Sequence, residues 1–266
     1  MRLIGLDLET TSKEPGARPV EIAAVEVTAG ACLTLIDEHC DPGMPIPAQS
    51  TLIHGFEDAD RFTAHGLQDA IEMLIAVLPP PEAGDFALVI HNAPYDCGVL
   101  TWAAAHCGIT LPDWPVICSL EVARKYRGPR GGNGLDRLCE EAGLERPGGG
   151  HRAYGDAWAA VEVLRRFPVD PSVLPRPFSA WAAEWDGAYT RDFPEGFEAL
   201  PDLVDLGGGL TFDYRDAKGN ESSRTITPHG WAMRGGVLHF HGFCHKAQDA
   251  RAFRADRVVA VLGSTL

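Results

Sequence analysis

Asp7 and Glu9 stand two residues apart in Gly5-Leu6-Asp7-Leu8-Glu9-Thr10-Thr11, where the apolar run from Met1 to Leu6 ends. That run reads as a buried strand. On an extended strand, side chains two apart share a face. Two carboxylates held so close raise each other's pKa unless cations lie between them. A strand can also show alternating acids to solvent, but the apolar context here argues for burial. A third acid, Asp96, follows the short apolar run Phe86–Ile90 and the breaker His91-Asn92-Ala93-Pro94-Tyr95. Pro94 suits the first turn of a helix with Asn92 or Ala93 near its cap. Asp96 then falls in that first turn, in a helix to about His106 with Leu100 and Ala104 on its apolar face. By itself it could simply complement the helix dipole. The last segment is Gly148-Gly149-Gly150-His151-Arg152-Ala153-Tyr154-Gly155-Asp156. A helix from about Gly155 to Phe167, with Ala159, Val163 and Phe167 at helical spacing, puts Asp156 in its first turn. His151 is then on a loop, which suits either a surface histidine or a base that reaches water when substrate arrives. Hard divalent cations take carboxylate oxygen. Two such ions about 3.5–4 Å apart stabilise the attacking and leaving oxygens of an in-line displacement. In this order the segments predict a site that holds two divalent metals and hydrolyses a phosphodiester.

The same segments resemble the three exonuclease motifs of the DEDDh family, which includes the proofreading epsilon subunit of bacterial replicase and RNase T. The resemblance covers roughly Met1 to Phe167. Pro19-Val20-Glu21-Ile22-Ala23-Ala24-Val25 resembles the family's second strand, and Ile53-His54-Gly55 its loop before the first helix. The resemblance implies an α/β fold, an RNase H-like mixed sheet flanked by helices. It implies Asp7, Glu9, Asp96 and Asp156 as ligands of two Mg2+ or Mn2+ ions and His151 as general base. Thr10, Thr11, His54, Asn92 and Tyr95 would bind the terminal nucleotide. The expected substrate is nucleic acid with a free 3′ end, whether single-stranded DNA, RNA or a short oligonucleotide. A sensor that keeps the fold only for binding is the rival reading. A replicase subunit is a third, and a folded C-terminal module argues against it.

Charge divides the chain unevenly. The net charge is −14, yet residues 200–266 hold eight Lys or Arg against seven Asp or Glu. The catalytic part is therefore strongly acidic and does not attract long polyanions by itself. Arg124, Lys125, Arg127 and Arg130 form a basic cluster that is either a phosphate contact or a solvated helix end. A hydrophobic content of 45% allows a sizeable core, and no apolar run is long enough to span a membrane. No signal peptide is read at the start, and seven scattered cysteines without a CxxC pair suit a reducing cytoplasm.

Three regions are expected: residues 1–168 as the exonuclease domain, 169–200 as a packed linker, and 201–266 as a small β domain. In the linker, Trp181, Trp185, Tyr189, Phe193 and Phe197 recur every four residues, which reads as a helical face over the first part of the stretch, ended by Pro194. Beyond it, Leu210–Arg215 and Ser222–Thr227 alternate around the turn Asp216-Ala217-Lys218-Gly219-Asn220. Two further apolar segments complete a small barrel. His239, His241 and His245 are ordinary strand histidines or, less simply, a metal site. The segment resembles a WYL domain, with Leu238-His239-Phe240 where the eponymous tripeptide should stand. That resemblance implies a small Sm/SH3-like β-barrel whose Arg224, Arg251 and Arg257 line a ligand surface for nucleic acid or nucleotides, remote from the metal site. A barrel used only for docking or dimerisation is the alternative.

Overall fold

The computed structural model describes residues 1–28, 31–130, 132–171 and 174–266. Three long strands come first: β1 (Arg2–Thr10), β2 (Pro19–Thr28) and β3 (Ala31–Asp41). They are followed by α1 (Ala48–His54), β4 (His65–Gly66), α2 (Leu67–Val77), β5 (Phe86–Ile90) and α3 (Ala93–His106). Then come β6 (Pro115–Cys118), α4 (Ser119–Arg127), α5 (Leu135–Ala142), α6 (Ala153–Leu164) and β7 (Arg176–Pro177). The strands form one sheet in the order β4-β3-β2-β1-β5-β6-β7. β1 pairs antiparallel with β2 and parallel with β5, so the sheet is mixed, as expected.

Alternation along β1 sorts its side chains into two layers. Ile4, Leu6 and Leu8 join Leu88, Ile90, Leu74, Cys97 and Leu100 on the α2 and α3 side. Leu3 joins Val25, Val89, Ala157, Val161 and Leu164 on the α6 side. Each such aliphatic side chain contributes about 1.5–3 kcal/mol through burial. Asp7 and Glu9 have the parity of Leu3, so they look toward α6 just beyond this apolar layer. Gly5 sets how close that helix comes. A Cβ there would lie 1.9 Å from the Ala157 carbonyl oxygen.

The linker differs from its expected form. Trp181 and Phe197 are buried, both at 3% exposure or less, while Trp185, Tyr189 and Phe193 are half-buried. Among the described linker residues before Leu200, however, α-helix is confined to α7 (Phe178–Ala182). The rings fill different places instead of one helical face. Trp181 lies in the core under α3 and donates from Nε1 to the Val116 carbonyl at 3.1 Å. Trp185 covers Gly98, where a Cβ would lie 2.2 Å from its ring. Phe197 packs on Phe240 in the C-terminal module.

That module comprises α8 (Leu200–Leu206), β8 (Gly209–Arg215), β9 (Glu221–Arg234), β10 (Val237–Cys244), β11 (Asp249–Arg254) and β12 (Val258–Thr265). The β8–β9 turn forms as read, with Asp216 Oδ1 accepting from the Lys218 and Asn220 N–H groups. The expected barrel is not closed. The antiparallel order β11-β10-β9-β8-β12 leaves β11 and β12 as edges. A short turn at Ala255–Arg257 carries the chain directly from one edge to the other. One apolar cluster unites the module with the larger one. Met44, Leu67, Ile71 and Trp102 pack with Leu203, Phe212, Trp231 and Phe240. No helix among the described residues is long and apolar enough to cross a membrane.

Candidate active site

Glu9, His151 and Asp156 come together at the end of β1, each offering one ligand atom, all within 4.8 Å of one another. β1 supplies Glu9, the first turn of α6 supplies Asp156, and the loop before α6 supplies His151. Asp7 and Asp96 complete the acid cluster, and their charges reach one another and their neighbours. Burial and then the charges of Asp96, Asp156 and Glu9 hold the Asp7 carboxyl well above the usual range. Burial chiefly does the same for Asp96. Glu9 is pushed up to about 8 by burial, Asp156 and Glu21, against the pull of Arg152 and Arg146. Asp156 is raised by burial, with Arg146 opposing. A cluster of carboxylates that repel one another suits hard divalent cations, and a set of carboxylate oxygens fits Mg2+ or Mn2+.

These shifts carry a stability prediction. Each carboxyl has a folded pKa above its unfolded one, so its protonated form favours the fold. In EDTA the stabilisation is fully present below about 4.5 and is lost as pH rises through about 8 for Glu9. The thermal midpoint should therefore fall over that window, and Mg2+ should flatten the slope. Midpoints across pH in EDTA and in Mg2+ check this. A midpoint that climbs with pH in EDTA would contradict it.

Asn92 turns the chain from β5 into α3 with φ +73°, a left-handed conformation that asparagine tolerates better than most residues. It is exposed. The turn buries Asp96 at 3% exposure. It also places the Tyr95 hydroxyl 2.5 Å from Thr10 Oγ, and that hydroxyl donates to the Ser12 carbonyl at 2.7 Å. Thr11 is buried, its Oγ accepting from the Arg18 N–H and its carbonyl from Ser50 Oγ. His54 is 6% exposed. Its Nδ1 accepts from the Phe56 N–H, while its buried Nε2 faces the Thr10 backbone without a well-formed hydrogen bond. An unpaired buried nitrogen beside Thr10 is a place where a ligand atom could bond.

His151 sits exposed at φ +58°. A non-glycine residue in this region points to a constrained loop. The constraint comes from Glu21, which sequence reasoning saw only as part of a strand. Glu21 is fully buried on β2 and accepts from Arg152 Nη2 at 2.7 Å and from the Ala153 N–H at 2.8 Å. Arg152 also lies 4.9 Å over Phe56. The residue after His151 is thus tied down, and α6 is capped by the same carboxylate. An acid inside an otherwise apolar strand was the available signal.

Arg146 is the second residue that sequence reasoning missed. Its Nη1 donates to Asp156 at 2.5 Å and its Nη2 bonds Asp136. A Cβ on Gly150 would lie 2.7 Å from its guanidinium, so the glycine run makes room for it. Arg146 offsets part of the cluster's charge, and a divalent ion that takes Asp156 must displace it. Arg146→Gln should therefore tighten Mn2+ binding about threefold to tenfold and lower the midpoint in EDTA. Calorimetric titration with Mn2+ checks the first effect, and weaker binding would contradict it.

The remaining candidates lie elsewhere. Arg224 is on β9, Arg251 on β11 and Arg257 in the turn before β12. Arg224 bonds Ser222, and Arg251 pairs with Asp249 at 2.6 Å. No hydrogen bond or ion pair joins the three among the described residues. His241 bonds Ser12 and His245 bonds Thr227, so these two histidines have separate partners. The basic cluster forms the last turn of α4 and the segment after it, with Arg127 paired to Glu141 at 2.7 Å.

Residues 4–164 match the family described as RNase_T, exonuclease, which is more than half of the chain. The chain belongs to this exonuclease family. Residues 197–261 match the WYL domain. Among similar proteins, the DNA polymerase III subunit epsilon-like protein of Rhodobacter capsulatus is 31% identical, over 62% of this chain and 23% of that one. The 3′-5′ exonuclease DinG of Bacillus subtilis is 28% identical, over 63% of this chain and 18% of that one. The chain thus spans a quarter or less of the length of these curated relatives. The nuclease domain of 3′hExo, a DEDDh family member, shares the fold at 15% identity. Its TM-score is 0.55, and the match covers 66% of this chain and 95% of that one.

Proposed function

We propose that this DEDDh-type exonuclease works in the 3′→5′ direction and releases nucleoside 5′-monophosphates from nucleic acid with a free 3′ end. The convergence of Glu9, His151 and Asp156 beside Asp7 and Asp96 carries the reading. The name of the Bacillus subtilis relative, a 3′-5′ exonuclease, supports the direction.

Asp7, Glu9, Asp96 and Asp156 would hold two Mg2+ or Mn2+ ions. When bound, such ions offset the cluster's charge, acidify water and stabilise charge on the leaving oxygen. His151 takes the proton of the attacking water at its imidazole, and its place on an exposed loop lets it reach a substrate-bound water. Thr10 would lie against the terminal nucleotide with buried Thr11 holding the loop behind it, His54 would offer its Nε2, and Asn92 and Tyr95 would lie at the rim. A site closed around the terminal sugar favours chain ends over internal bonds. In the C-terminal module, Arg224, Arg251 and Arg257 would take phosphates of a longer strand or a nucleotide, since the planar guanidinium gives bidentate, charge-assisted bonds.

Digestion of 5′-labelled single-stranded DNA and RNA in Mn2+ or Mg2+ against EDTA tests the reading. A descending ladder that ends with metal removal is the expected pattern. Cleavage that begins at internal positions, or none with either metal, would overturn it.

A further inference from the structure

The loop between β1 and β2 is gripped from both modules. From the exonuclease side, Tyr95 holds Thr10 Oγ and the Ser12 carbonyl, and Ser50 holds the Thr11 carbonyl. From the C-terminal side, His241 Nε2 lies 3.0 Å from Ser12 Oγ. His241 is on β10 and only 5% exposed, so this bond is shielded from water. Burial pushes its pKa down to about 3, and the imidazole is neutral wherever the enzyme works.

Two glycines let the modules meet backbone to backbone here. A Cβ on Gly16 would lie 2.4 Å from the Trp231 carbonyl oxygen. One on Gly230 would lie 2.6 Å from His241 Cε1 and 2.7 Å from the Gly16 carbonyl oxygen. Arg18 closes the loop. It is 1% exposed, pairs with Asp205 at 2.7 Å and donates to the Pro42 carbonyl at 2.9 Å. Its guanidinium lies 5.5 Å from the Trp102 ring and 5.7 Å from the Trp231 ring. The segment after Asp7 and Glu9 is thus fixed by a residue more than two hundred positions away.

We propose that His241 is a positioning residue for Thr10–Ser12, so that the WYL module forms part of the wall that holds the terminal nucleotide. The inference rests on the reading of Thr10 as a nucleotide contact. A loop ordered in advance spares the substrate the entropy of ordering it. Loss of the His241–Ser12 bond frees the loop, and binding of the terminal nucleotide then has to order it.

Steady-state hydrolysis of a dinucleotide by the full chain tests this, because that substrate is too short to reach a remote surface. His241→Ala and Ser12→Ala should each raise KM roughly fivefold to tenfold, the effect of one hydrogen bond. In both variants kcat should stay within about twofold, since the bond acts on binding. Mn2+ affinity should hold, because no acid of the cluster is touched. His241→Gln, which keeps a nitrogen or oxygen near the Nε2 position, should restore KM. The double variant should be no worse than either single one, because both remove the same bond. Ser12→Ala carries the test alone if His241→Ala fails to fold. Unchanged KM values in the single variants, or effects that multiply in the double, would overturn the inference while wild-type hydrolysis keeps the exonuclease reading intact. A wild-type chain that hydrolyses neither the dinucleotide nor a longer single strand defeats that reading, and the inference with it; where only longer strands are cut, the same KM comparison on the shortest strand hydrolysed decides the inference.

Discussion

Asp7→Asn is expected to remove nearly all hydrolysis while making the metal-free protein more stable. Both effects have one cause. Asp7 looks toward α6 in the middle of the acid cluster, held well above its usual pKa by burial and by the carboxylates of Asp96, Asp156, Glu9 and Glu21. Asparagine has nearly the same size but no charge, so it relieves that repulsion, and the midpoint in EDTA should rise at neutral pH. It also removes one of the anionic oxygens that a divalent ion requires. An ion so placed is worth several kcal/mol of transition-state stabilisation, so turnover should fall by about 10²–10⁴-fold. Mn2+ titration should show weakened binding in parallel. Full turnover at saturating Mg2+, or a lower midpoint in EDTA, would reject Asp7 as a ligand.

His151→Ala should lower kcat by about 10²–10⁴-fold, the usual range for a general base, with Mn2+ affinity little changed. The split between the two readouts matters, because the imidazole lies within 4.8 Å of Glu9 and Asp156 and could be taken for a ligand. A ligand would reveal itself through weakened metal binding, a base through kcat alone. The loop itself should hold, since Arg152 keeps its bonds to Glu21 on the far side of the missing ring. Because His151 is exposed, added imidazole should reach the vacated space and recover part of the lost rate. Loss of Mn2+ binding together with rate would move His151 from base to ligand.

The fold class, the acid segments and their elements were legible in the amino-acid sequence, because they depend on local spacing. Asp7 and Glu9 share a face because strand side chains alternate, and Pro94 starts α3 within a residue or two of its expected place. The β8–β9 turn was legible for the same reason, since Asp216 bonds residues only two and four positions away. The linker aromatics misled, because a four-residue spacing describes a helix only when one partner faces it. Here Trp181 and Phe197 were drawn into separate cores. The open edges of the C-terminal sheet were equally hidden, since strand closure is decided by pairing between distant segments.

Tertiary structure alone decided how the site is held. Glu21 reaches Arg152 across more than a hundred residues, and Arg146 enters the acid cluster only because α6 and its glycine loop fold back over β1. The two modules share a core in which Trp102 donates to the Trp231 carbonyl at 3.0 Å. Removal of everything beyond Leu200 would therefore expose Met44, Leu67 and Trp102 and loosen the loop after Glu9. Chemical identity at the site follows from residue type and local period. The positions of its supports follow from contacts between residues whose sequence neighbours carry no mark of the partner.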